Sequence, residues 1–190
     1  MVFMSEKEQL RKALKEKRKN LSAAEVDEKS TLVTEIFLES DVYKKASTIM
    51  LYMPIRNEVD TGKIISKGFA DGKKLVFPVT DRESGIITPY FADGKTEFKK
   101  GAFSVPEPSL REKMRLEEID VVLVPGIGFD YFGNRIGFGK GCYDMLLCKC
   151  NALKIGVCYE FQLLEKIPYD EHDIKMDYIL TETGFRKTRD

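Results

Sequence analysis

The first forty residues show the spacing of amphipathic helices. Ser5 and Glu8 have the spacing of a capping box, and the apolar residues after them recur every three or four positions. This pattern predicts a helix from about Ser5 to Lys19. The same capping signal recurs at Ser22, so we predict a second helix that ends near Ser40.

Short, nearly continuous apolar runs recur through the rest of the chain. Runs of this kind indicate strands that are buried on both faces of a sheet. They are STIMLYMP (47–54), KLVFPV (74–79), GIITPYF (85–91), IDVVLVPG (119–126), LKIGVCYE (153–160) and DYILTE (177–182). Pro89 cannot donate a ladder hydrogen bond, so the third of these strands should be weak or lie at an edge.

Helices and loops are predicted between these strands. Residues 60–73 form a helical pattern that closes at Gly72, and a helix from Gly141 to Cys150 should follow the fourth strand. The polar stretch from Lys95 to Glu118 predicts a loop with a short helix, and residues 185–190 predict a frayed tail.

This alternation of apolar strands and helices predicts an α/β fold. We expect a single domain over residues 1–190, with three layers (α/β/α) around a mostly parallel central sheet. The arrangement is Rossmann-like, but the G-x-G-x-x-G dinucleotide fingerprint is missing, because the glycines stand at positions 137, 139 and 141.

Composition narrows the range of partners. The 31 basic and 31 acidic residues cancel, which argues against bulk binding to nucleic acid. The N-terminal residues lack the apolar stretch of a signal peptide, and no 18-residue apolar run could span a membrane. The four cysteines lie close together without histidines, which suits free thiols. We therefore expect a cytoplasmic protein that binds no membrane and no nucleic acid. We also expect a monomer, although composition does not determine the oligomeric state.

A glycine-rich loop, GNRIGFGKGCYD (133–144), follows the clearest buried strand. Glycines let backbone N–H groups approach a ligand, and parallel sheets bind ligands beyond the carboxyl ends of their strands. The loop could therefore cradle a phosphate. It does not match the P-loop pattern, since Asn134 stands at its first glycine and Gly141 at its Ser or Thr. On these grounds alone, a phosphate cradle and a plain strand-to-helix turn remain equal alternatives.

The longer segment VPGIGFDYFGNRIGFGKGCYD (124–144) closely resembles the signature of the 5-formyltetrahydrofolate cyclo-ligases. That family shows V-P-G-x-x-F-D followed by G-x-R-L-G-R/Y-G-x-G-Y-Y-D. The family's early K-x-x-L-R is matched by residues 7–11, its acid after the first strand by NEVDT (57–61), and its closing segment by EHDIKMDYILTE (171–182). Two positions depart from the pattern: Phe138 replaces Arg or Tyr, and Cys142 replaces the first tyrosine.

The resemblance implies a reaction that consumes ATP. It would convert 5-formyltetrahydrofolate to 5,10-methenyltetrahydrofolate, with Mg²⁺ as cofactor, ATP as co-substrate, and ADP and phosphate as further products. The formyl oxygen would be phosphorylated and then displaced by N10 of the same molecule. Such a site needs cations near the phosphates, a metal, and a pocket for a flat pterin.

The resemblance also implies which residues form the ATP site. Lys140 and Arg135 would be catalytic, and we expect the Lys140 ammonium to be free of packing contacts because glycines flank it. The predicted ATP-binding residues are Lys7, Arg11, Arg135, Gly137, Phe138, Gly139, Lys140, Gly141, Cys142 and Tyr143. The first helix also carries Lys12, Lys15, Lys17, Arg18 and Lys19, and a solvated basic face explains most of these residues.

Substrate and metal ligands follow from the same resemblance. Glu58 would accept hydrogen bonds from the pterin, and Asp144 and Asp173 would hold Mg²⁺. The predicted substrate-binding residues are Met53, Glu58, Phe138, Gly139, Lys140, Gly141 and Cys142. We interpret His172, the single histidine, as a loop residue, because the reaction needs no base there.

Two other classes of function remain open at this level. One is another phosphate-binding α/β enzyme, such as a small-molecule kinase or a sugar-phosphate isomerase, which would not need a pterin pocket. The other is a non-catalytic module that binds nucleotides or RNA through the basic first helix. The zero net charge and the lack of aromatic residues within a basic motif weigh against the second class.

Overall fold

A computed structural model describes residues 4–109 and 112–190. The helices in these ranges are α1 (Glu6–Lys19), α2 (Ala23–Glu39), α3 (Asp41–Lys45), α4 (Gly62–Ala70) and α5 (Cys142–Leu147). Capping boxes at Ser5 and Ser22 start α1 and α2, as the sequence predicts.

Short strands make up the rest of the regular structure. They are β1 (Thr48–Met50), β2 (Lys74–Thr80), β3 (Ile87–Ala92), β4 (Phe98–Lys100), β5 (Pro106–Pro108), β6 (Glu112–Lys113), β7 (Val121–Pro125), β8 (Gly128–Asp130), β9 (Arg135–Ile136), β10 (Leu153–Val157), β11 (Leu163–Leu164), β12 (Tyr178–Thr181) and β13 (Gly184–Lys187). Single 3₁₀ turns cover Ala102–Ser104, Leu116–Glu118 and Glu160–Gln162.

The main sheet has the strand order β13-β12-β10-β7-β1-β2-β3-β6. The central strands β12, β10, β7, β1 and β2 are parallel, and antiparallel strands flank them on both sides. Successive residues of one strand belong to opposite core clusters: Ile49 packs in the cluster with α2 and α4, and Met50 packs in the cluster with α5. The predicted α/β fold with helices on both faces of a mostly parallel sheet is therefore confirmed.

A small sheet of order β11-β8-β9 stands beside the main one and carries the start of the glycine loop. The hairpin between β8 and β9 is closed by Asp130, whose buried carboxylate accepts bonds from the N–H groups of Phe132 and Asn134 at 2.9 Å. The same carboxylate accepts a bond from the N–H of Ile167 at 3.1 Å. Asn134 therefore belongs to this turn, and its side chain also bonds Asp130 at 2.8 Å.

Several boundaries differ from the prediction. The expected frayed tail is wrong for residues 185–187, which pair with β12 as part of β13. The helix expected from Gly141 to Cys150 is only six residues long. The polar stretch after Lys95 forms the β4–β5 hairpin and strand β6, with residues 110 and 111 outside the described ranges. Because β6 covers β3, Pro89 lies one strand inside the edge, where it pairs with Pro78.

One further expectation concerns helices that could span a membrane. Within residues 4–109 and 112–190, no helix is long and apolar enough to cross a membrane. The four cysteines, all within the described ranges, are free thiols, as the sequence predicts.

Candidate active site

A cleft of about 580 Å³ opens beyond the carboxyl ends of the central strands. Strand β2 pairs with one side of β1, and the later strand β7 pairs with the other side. The strand order therefore reverses at β1, next to the cleft. Open α/β sheets bind ligands at such a point. Tyr52 and Met53 line the cleft just after β1, Thr80 lines it at the end of β2, and Pro125 at the end of β7.

Every site residue that the sequence predicts lies on the wall of this one cleft. The set consists of Lys7, Arg11, Met53, Glu58, Arg135, Gly137, Phe138, Gly139, Lys140, Gly141, Cys142, Tyr143, Asp144 and Asp173. These residues come from four separate segments of the sequence, and the fold brings them together. Their individual roles stay predictions. His172 is exposed and does not line the cleft.

The glycine loop forms the side of the cleft that faces α1. Gly139 and Gly141 have φ values of +103° and +64°, a region that favours glycine and lets the loop fold back toward α5. Arg11 on α1 donates from Nε to the carbonyl of Gly137 at 3.0 Å, which fixes the loop against the helix. Because α5 is so short, its dipole adds less positive charge at this point than the predicted ten-residue helix would.

Arg135 lies at the base of the loop and is only 8% exposed. Its Nη2 donates to Asp144 at 2.9 Å, and Nη1 donates to the carbonyl of Pro125 at 3.4 Å. Its Nε is the one buried side-chain nitrogen or oxygen in the described ranges that lacks a hydrogen-bond partner. The charge of Arg135 is therefore held in place at the cleft wall by Asp144.

The two predicted metal ligands are each paired with a cation of the cleft. Besides its bond from Arg135, Asp144 accepts a hydrogen bond from the N–H of Ile174 at 3.3 Å. Asp173 accepts a bond from Lys7 Nζ at 2.7 Å, and Lys7 also reaches Asp170 at 2.8 Å. Lys7 on α1 thus ties the N-terminal helix to the segment that carries Asp173.

The pair of Lys7 and Asp173 is electrostatically stable. Burial lowers the pKa of Lys7, but the hydrogen bonds and charges of Asp170 and Asp173 outweigh it and raise the pKa overall. Burial raises the pKa of Asp173, but the bond from Lys7 and the N–H of Asp170 outweigh it and lower the pKa overall. Both groups are therefore charged at neutral pH.

The donor set suits a divalent cation that is bound together with a substrate. Among residues 4–109 and 112–190, no group of three or more His, Cys, Asp or Glu side chains could hold a metal ion by itself. Mg²⁺ commonly uses only one or two carboxylates and takes its remaining ligands from phosphate and water. Asp144 and Asp173 in one cleft supply such a set, so the residues fit Mg²⁺ bound with a nucleotide.

Lys140 is not free, contrary to the expectation from its flanking glycines. Its Nζ lies 4.1 Å from the centroid of the Phe103 ring, across the cleft from the loop. Phe103 and Ser104 both have positive φ, at 54° and 65°, so a strained turn presents this ring. A cation–π contact at an exposed position is weak, about 0.5–1 kcal/mol, and a bound anion could displace it.

Glu58 is a buried residue of the cleft wall. It is 6% exposed, its Oε1 lies 3.7 Å from Arg18 Nη1, and its Oε2 accepts a bond from the N–H of Ile55 at 3.0 Å. Arg18 is 3% exposed and also donates to the carbonyl of Gly126 at 3.1 Å. Arg18 is therefore an exception to the solvated basic face that explains most of the other basic residues of α1, because it is the buried partner of Glu58.

Burial raises the pKa of Glu58 to about 7, although Arg18, the N–H of Ile55 and Arg56 act in the opposite direction. Glu58 can therefore change its charge near neutral pH. Burial also raises the pKa of the neighbouring Tyr52 hydroxyl well above its usual value, and the charge of Glu58 adds to this shift. That hydroxyl stays neutral and donates to the carbonyl of Val59 at 3.0 Å.

The sequence reasoning missed four residues that line the cleft, namely Lys15, Arg56, Phe103 and Asp170, and it missed Arg18, the buried partner of Glu58. A signal existed for two of them. Lys15 follows Arg11 by four positions and Arg18 follows it by seven, so all three lie on one face of α1. Arg56 and Phe103 lie in irregular segments, where sequence periodicity carries no information.

Comparisons with known proteins agree with the resemblance. A family model described as the 5-formyltetrahydrofolate cyclo-ligase family matches residues 3–182. A mouse protein named 5-formyltetrahydrofolate cyclo-ligase is 30% identical over 191 residues, which cover 94% of each chain. A Haemophilus influenzae protein of the same name is 28% identical and covers 92% of this chain and 96% of its own length.

Solved structures give the same result. An NMR structure of Aquifex aeolicus 5,10-methenyltetrahydrofolate synthetase is 38% identical with a TM-score of 0.87, and the match covers 97% of this chain and 93% of that one. A 5,10-methenyltetrahydrofolate synthetase from Mycoplasma pneumoniae is 27% identical with a TM-score of 0.75, covering 94% and 99%. The chain therefore belongs to the 5-formyltetrahydrofolate cyclo-ligase family of enzymes.

Proposed function

We propose that this protein converts 5-formyltetrahydrofolate to 5,10-methenyltetrahydrofolate and that it uses Mg²⁺ and ATP, with ADP and phosphate released. One observation carries the proposal: in a chain of this family, a cluster of cations around a glycine loop and a buried carboxylate line the same cleft. The cations suit the phosphates of a nucleotide. The buried carboxylate suits the N–H edge of a pterin.

The first step of the proposed reaction is a phosphoryl transfer. The formyl oxygen on N5 attacks the γ-phosphorus of ATP, an O–P bond forms, and the bond to the β-phosphate oxygen breaks to release ADP. Such transfers depend on positioning and on charge stabilisation, for which Arg135, Lys140 and Arg11 are the available cations of the loop wall. Arg135 is fixed by its hydrogen bond to Asp144. Lys140 would leave its weak contact with the Phe103 ring and bind the transferred phosphoryl group.

The second step is a ring closure within the folate. N10 attacks the activated formyl carbon and loses its proton, and phosphate then leaves with the former formyl oxygen. The product is the 5,10-methenyl cation. Because nucleophile and electrophile belong to one molecule, the cleft contributes mainly by holding the pterin still, and Glu58 and Met53 are proposed to do so.

Asp144 and Asp173 are proposed to hold Mg²⁺ against the nucleotide phosphates. When bound there, the ion would neutralise charge on the β- and γ-phosphates. Binding of the ion would require Asp173 to share its carboxylate with Lys7, through the oxygen that Lys7 does not contact. The charge of Lys7 would then also lie beside the phosphates.

The activity assay is direct. Purified protein is incubated with Mg-ATP and 5-formyltetrahydrofolate, and the methenyl product is followed by its near-ultraviolet absorbance while ADP is measured separately. We expect both products in equal amounts, and neither when ATP or folate is left out. Hydrolysis of ATP that does not depend on the folate would contradict the proposal and favour another phosphate-binding enzyme.

A further inference from the structure

A small hairpin carries Phe103 to the wall of the cleft. Strands β4 and β5 form a two-stranded sheet of their own, and the turn between them contains Phe103. The ring of Phe98 on β4 packs edge-to-face on Phe77 of β2, with the ring centroids 4.9 Å apart. The buried carboxylate of Glu107 on β5 also bonds to β2. Side chains therefore attach this hairpin to the main sheet.

The carboxylate of Glu107 joins two parts of the backbone. Its Oε1 accepts a hydrogen bond from the N–H of Thr80 at 3.1 Å and another from the N–H of Ala102 at 3.2 Å. Thr80 ends β2 and lines the cleft, and the buried Ala102 directly precedes Phe103. Buried N–H groups need a partner. One oxygen atom therefore fixes the start of the turn to the end of β2.

The neighbouring residues suit this contact. Pro106 and Pro108 flank Glu107, and their rings fix φ, so the backbone that carries the carboxylate has little freedom. A Cβ atom at Gly101 would lie 2.1 Å from Cδ of Glu107, which is closer than real contacts allow. Glycine at this position therefore leaves the space that the carboxylate occupies.

The turn needs such an anchor because its backbone is strained. Phe103 and Ser104 both have positive φ, which is uncommon outside glycine. Strain of this kind persists only where the surrounding contacts determine the conformation. A bond from the Gly101 N–H to the Val105 carbonyl at 2.8 Å closes the turn locally. It does not connect the turn to the main sheet, whereas the carboxylate of Glu107 does.

The position of the turn affects the Lys140 ammonium. Its Nζ lies 4.1 Å from the centroid of the Phe103 ring. A cation–π contact requires the ring to stay within about 6 Å, so a turn that moves away releases the ammonium to water. A released lysine side chain regains its rotamer freedom, and the site loses a charge that was already in place. The contacts thus run from β2 through Glu107 and Phe103 to Lys140.

We propose that Glu107 is a positioning residue for the reaction: it fixes the Phe103 turn to β2 and thereby holds the Lys140 ammonium over the cleft. The effect on the rate rests on the proposed function, in which Lys140 binds the transferred phosphoryl group. Glu107 itself lies outside the cleft, in a neighbouring groove. Because both hydrogen bonds go to one oxygen, an amide oxygen can take its place.

A double-mutant cycle on kcat tests whether Glu107 acts through Lys140. The variants are Glu107→Ala, Lys140→Met and the two combined. Glu107→Gln tests for rescue, and Gly101→Ala displaces the carboxylate without removing it. The control is Glu97→Ala, an exposed acid next to β4 that lies outside both the cleft and the groove. Thermal melting checks that each variant is folded, and if Glu107→Ala does not fold, Gly101→Ala replaces it in the cycle.

We expect Glu107→Ala to lower kcat by about tenfold to a hundredfold, as when a catalytic group is misplaced by about 1 Å. The double variant should be no slower than Lys140→Met, because Glu107 then has no ammonium to position. Glu107→Gln should recover most of kcat, Gly101→Ala should be slow like Glu107→Ala, and Glu97→Ala should behave as wild type.

The position of the turn can also be followed without the reaction. The chain contains no tryptophan, so Phe103→Trp places a single fluorescent indole on the turn. In this background, Glu107→Ala should shift the emission to longer wavelength and increase quenching by acrylamide, because the ring leaves its contacts. Glu107→Gln and Glu97→Ala should leave both signals unchanged.

Three results would overturn the inference. If the kcat losses of Glu107→Ala and Lys140→Met multiply in the double variant, Glu107 does not act through Lys140. If Glu107→Gln is as slow as Glu107→Ala, the two hydrogen bonds are not the reason. If Glu107→Ala leaves the fluorescence unchanged, Glu107 does not hold the turn. A protein that makes no methenyl product would contradict the proposed function, and the fluorescence would then still decide whether Glu107 positions the turn.

Discussion

Two regions of the cleft wall, the exposed glycine loop and the buried surroundings of Glu58, hold their charges in different ways. On the loop, Lys140 and the glycines beside it are exposed, and the ammonium lies on the Phe103 ring without an acidic partner in the described ranges. Glu58, in contrast, is buried, lies within 3.7 Å of Arg18 and accepts a backbone hydrogen bond. The loop offers a weakly held cation, and the buried region offers a carboxylate that is fixed by its partners.

This difference has a chemical meaning for the proposed reaction. A transferred phosphoryl group moves and gains charge during the reaction, so a cation that can follow it is useful. A pterin must stay in place while N10 closes the ring, so a rigid hydrogen-bond acceptor is useful. We therefore propose that the residues of the glycine loop bind ATP and that Glu58 binds folate, and each of the following variants tests that division.

The largest effect is expected from Lys140→Met, which keeps the length of the side chain and removes its charge. Loss of a positioned cation or donor typically lowers kcat by roughly 10²–10³. The free energy of unfolding should change by less than about 1 kcal/mol, because Lys140 is exposed and only its contact with Phe103 is lost. Steady-state kinetics and thermal melting provide the two measurements.

Two further variants make this prediction specific. Lys140→Arg should restore only part of kcat, because a planar guanidinium does not replace a compact ammonium. Lys149→Met, an exposed lysine just beyond α5 and outside the cleft, should behave as wild type. Normal turnover by Lys140→Met would mean that the glycine loop is a structural turn and that ATP binds elsewhere.

Asp144→Asn should raise the Mg²⁺ concentration needed for half-maximal rate by about tenfold or more, as for loss of a metal ligand or its close support. The variant also weakens the ion pair with Arg135, so some loss of stability is expected. A magnesium titration of the rate measures the first effect and thermal melting the second. An unchanged magnesium requirement would remove Asp144 from the proposed metal site.

Asp173→Asn should shift the magnesium requirement in the same direction but less strongly, because one of its oxygens is already bonded to Lys7. The matched control is Glu171→Gln, an exposed acid two residues away that does not line the cleft. If both variants shift the magnesium requirement equally, the effect is a general loss of negative charge and not loss of a ligand.

Glu58 should give the folate KM a pH dependence. Burial raises its pKa to about 7, so the carboxylate form dominates above that pH and the neutral acid below it. If the carboxylate binds the pterin, the folate KM of wild type should rise severalfold as the pH falls from about 8 to about 6. Glu58→Gln should have a raised KM that stays flat over this range. The measurement is made at saturating Mg-ATP.

A different pH dependence of the folate KM would contradict the proposal that the Glu58 carboxylate binds the pterin. If the wild-type folate KM falls on acidification, the neutral acid is the binding form and Glu58 donates to the pterin. If wild type and Glu58→Gln follow the same pH curve, the titrating group is another one.

The smallest effect is expected from Cys142→Tyr, which restores the residue of the family pattern. Cys142 is half-buried on the cleft wall and lies next to Gly85, which has no side chain to block a larger group. The folate KM should stay within about threefold of wild type or improve, in line with a surface change. Cys148→Tyr, outside the cleft, controls for a new ring near α5. A large loss of activity only in Cys142→Tyr would show that neighbouring side chains fill this space.

Much of the fold could be predicted because burial on both faces forces an apolar run in each central strand. Val121–Pro125 and Leu153–Val157 are examples, and capping boxes defined the starts of α1 and α2 equally well. Strands β9 and β13 could not be predicted, since they are short and partly polar and depend on partners that the local pattern does not reveal.

The site residues likewise fall into two groups, those that a sequence motif identifies and those that only the tertiary structure reveals. Residues of the glycine loop are neighbours in sequence, so a motif identified them together. The ion pair between Arg18 and Glu58, and the placement of Arg56 over Phe138, depend on how α1 packs against the segment after β1. Helical spacing places Arg18 on the same face of α1 as Arg11, but no local pattern reveals that Glu58 is its partner or that Arg56 lies over Phe138.

The division of the cleft can be measured most directly by equilibrium binding in two variants. Glu58→Gln and Lys140→Met are each titrated with 5-formyltetrahydrofolate and with a non-hydrolysable ATP analogue in the presence of Mg²⁺. We predict a crossed result: Glu58→Gln loses affinity for folate and keeps it for the nucleotide, and Lys140→Met does the reverse. If each variant weakens both ligands by similar factors, the two residues do not serve separate ligands and the proposed division is wrong.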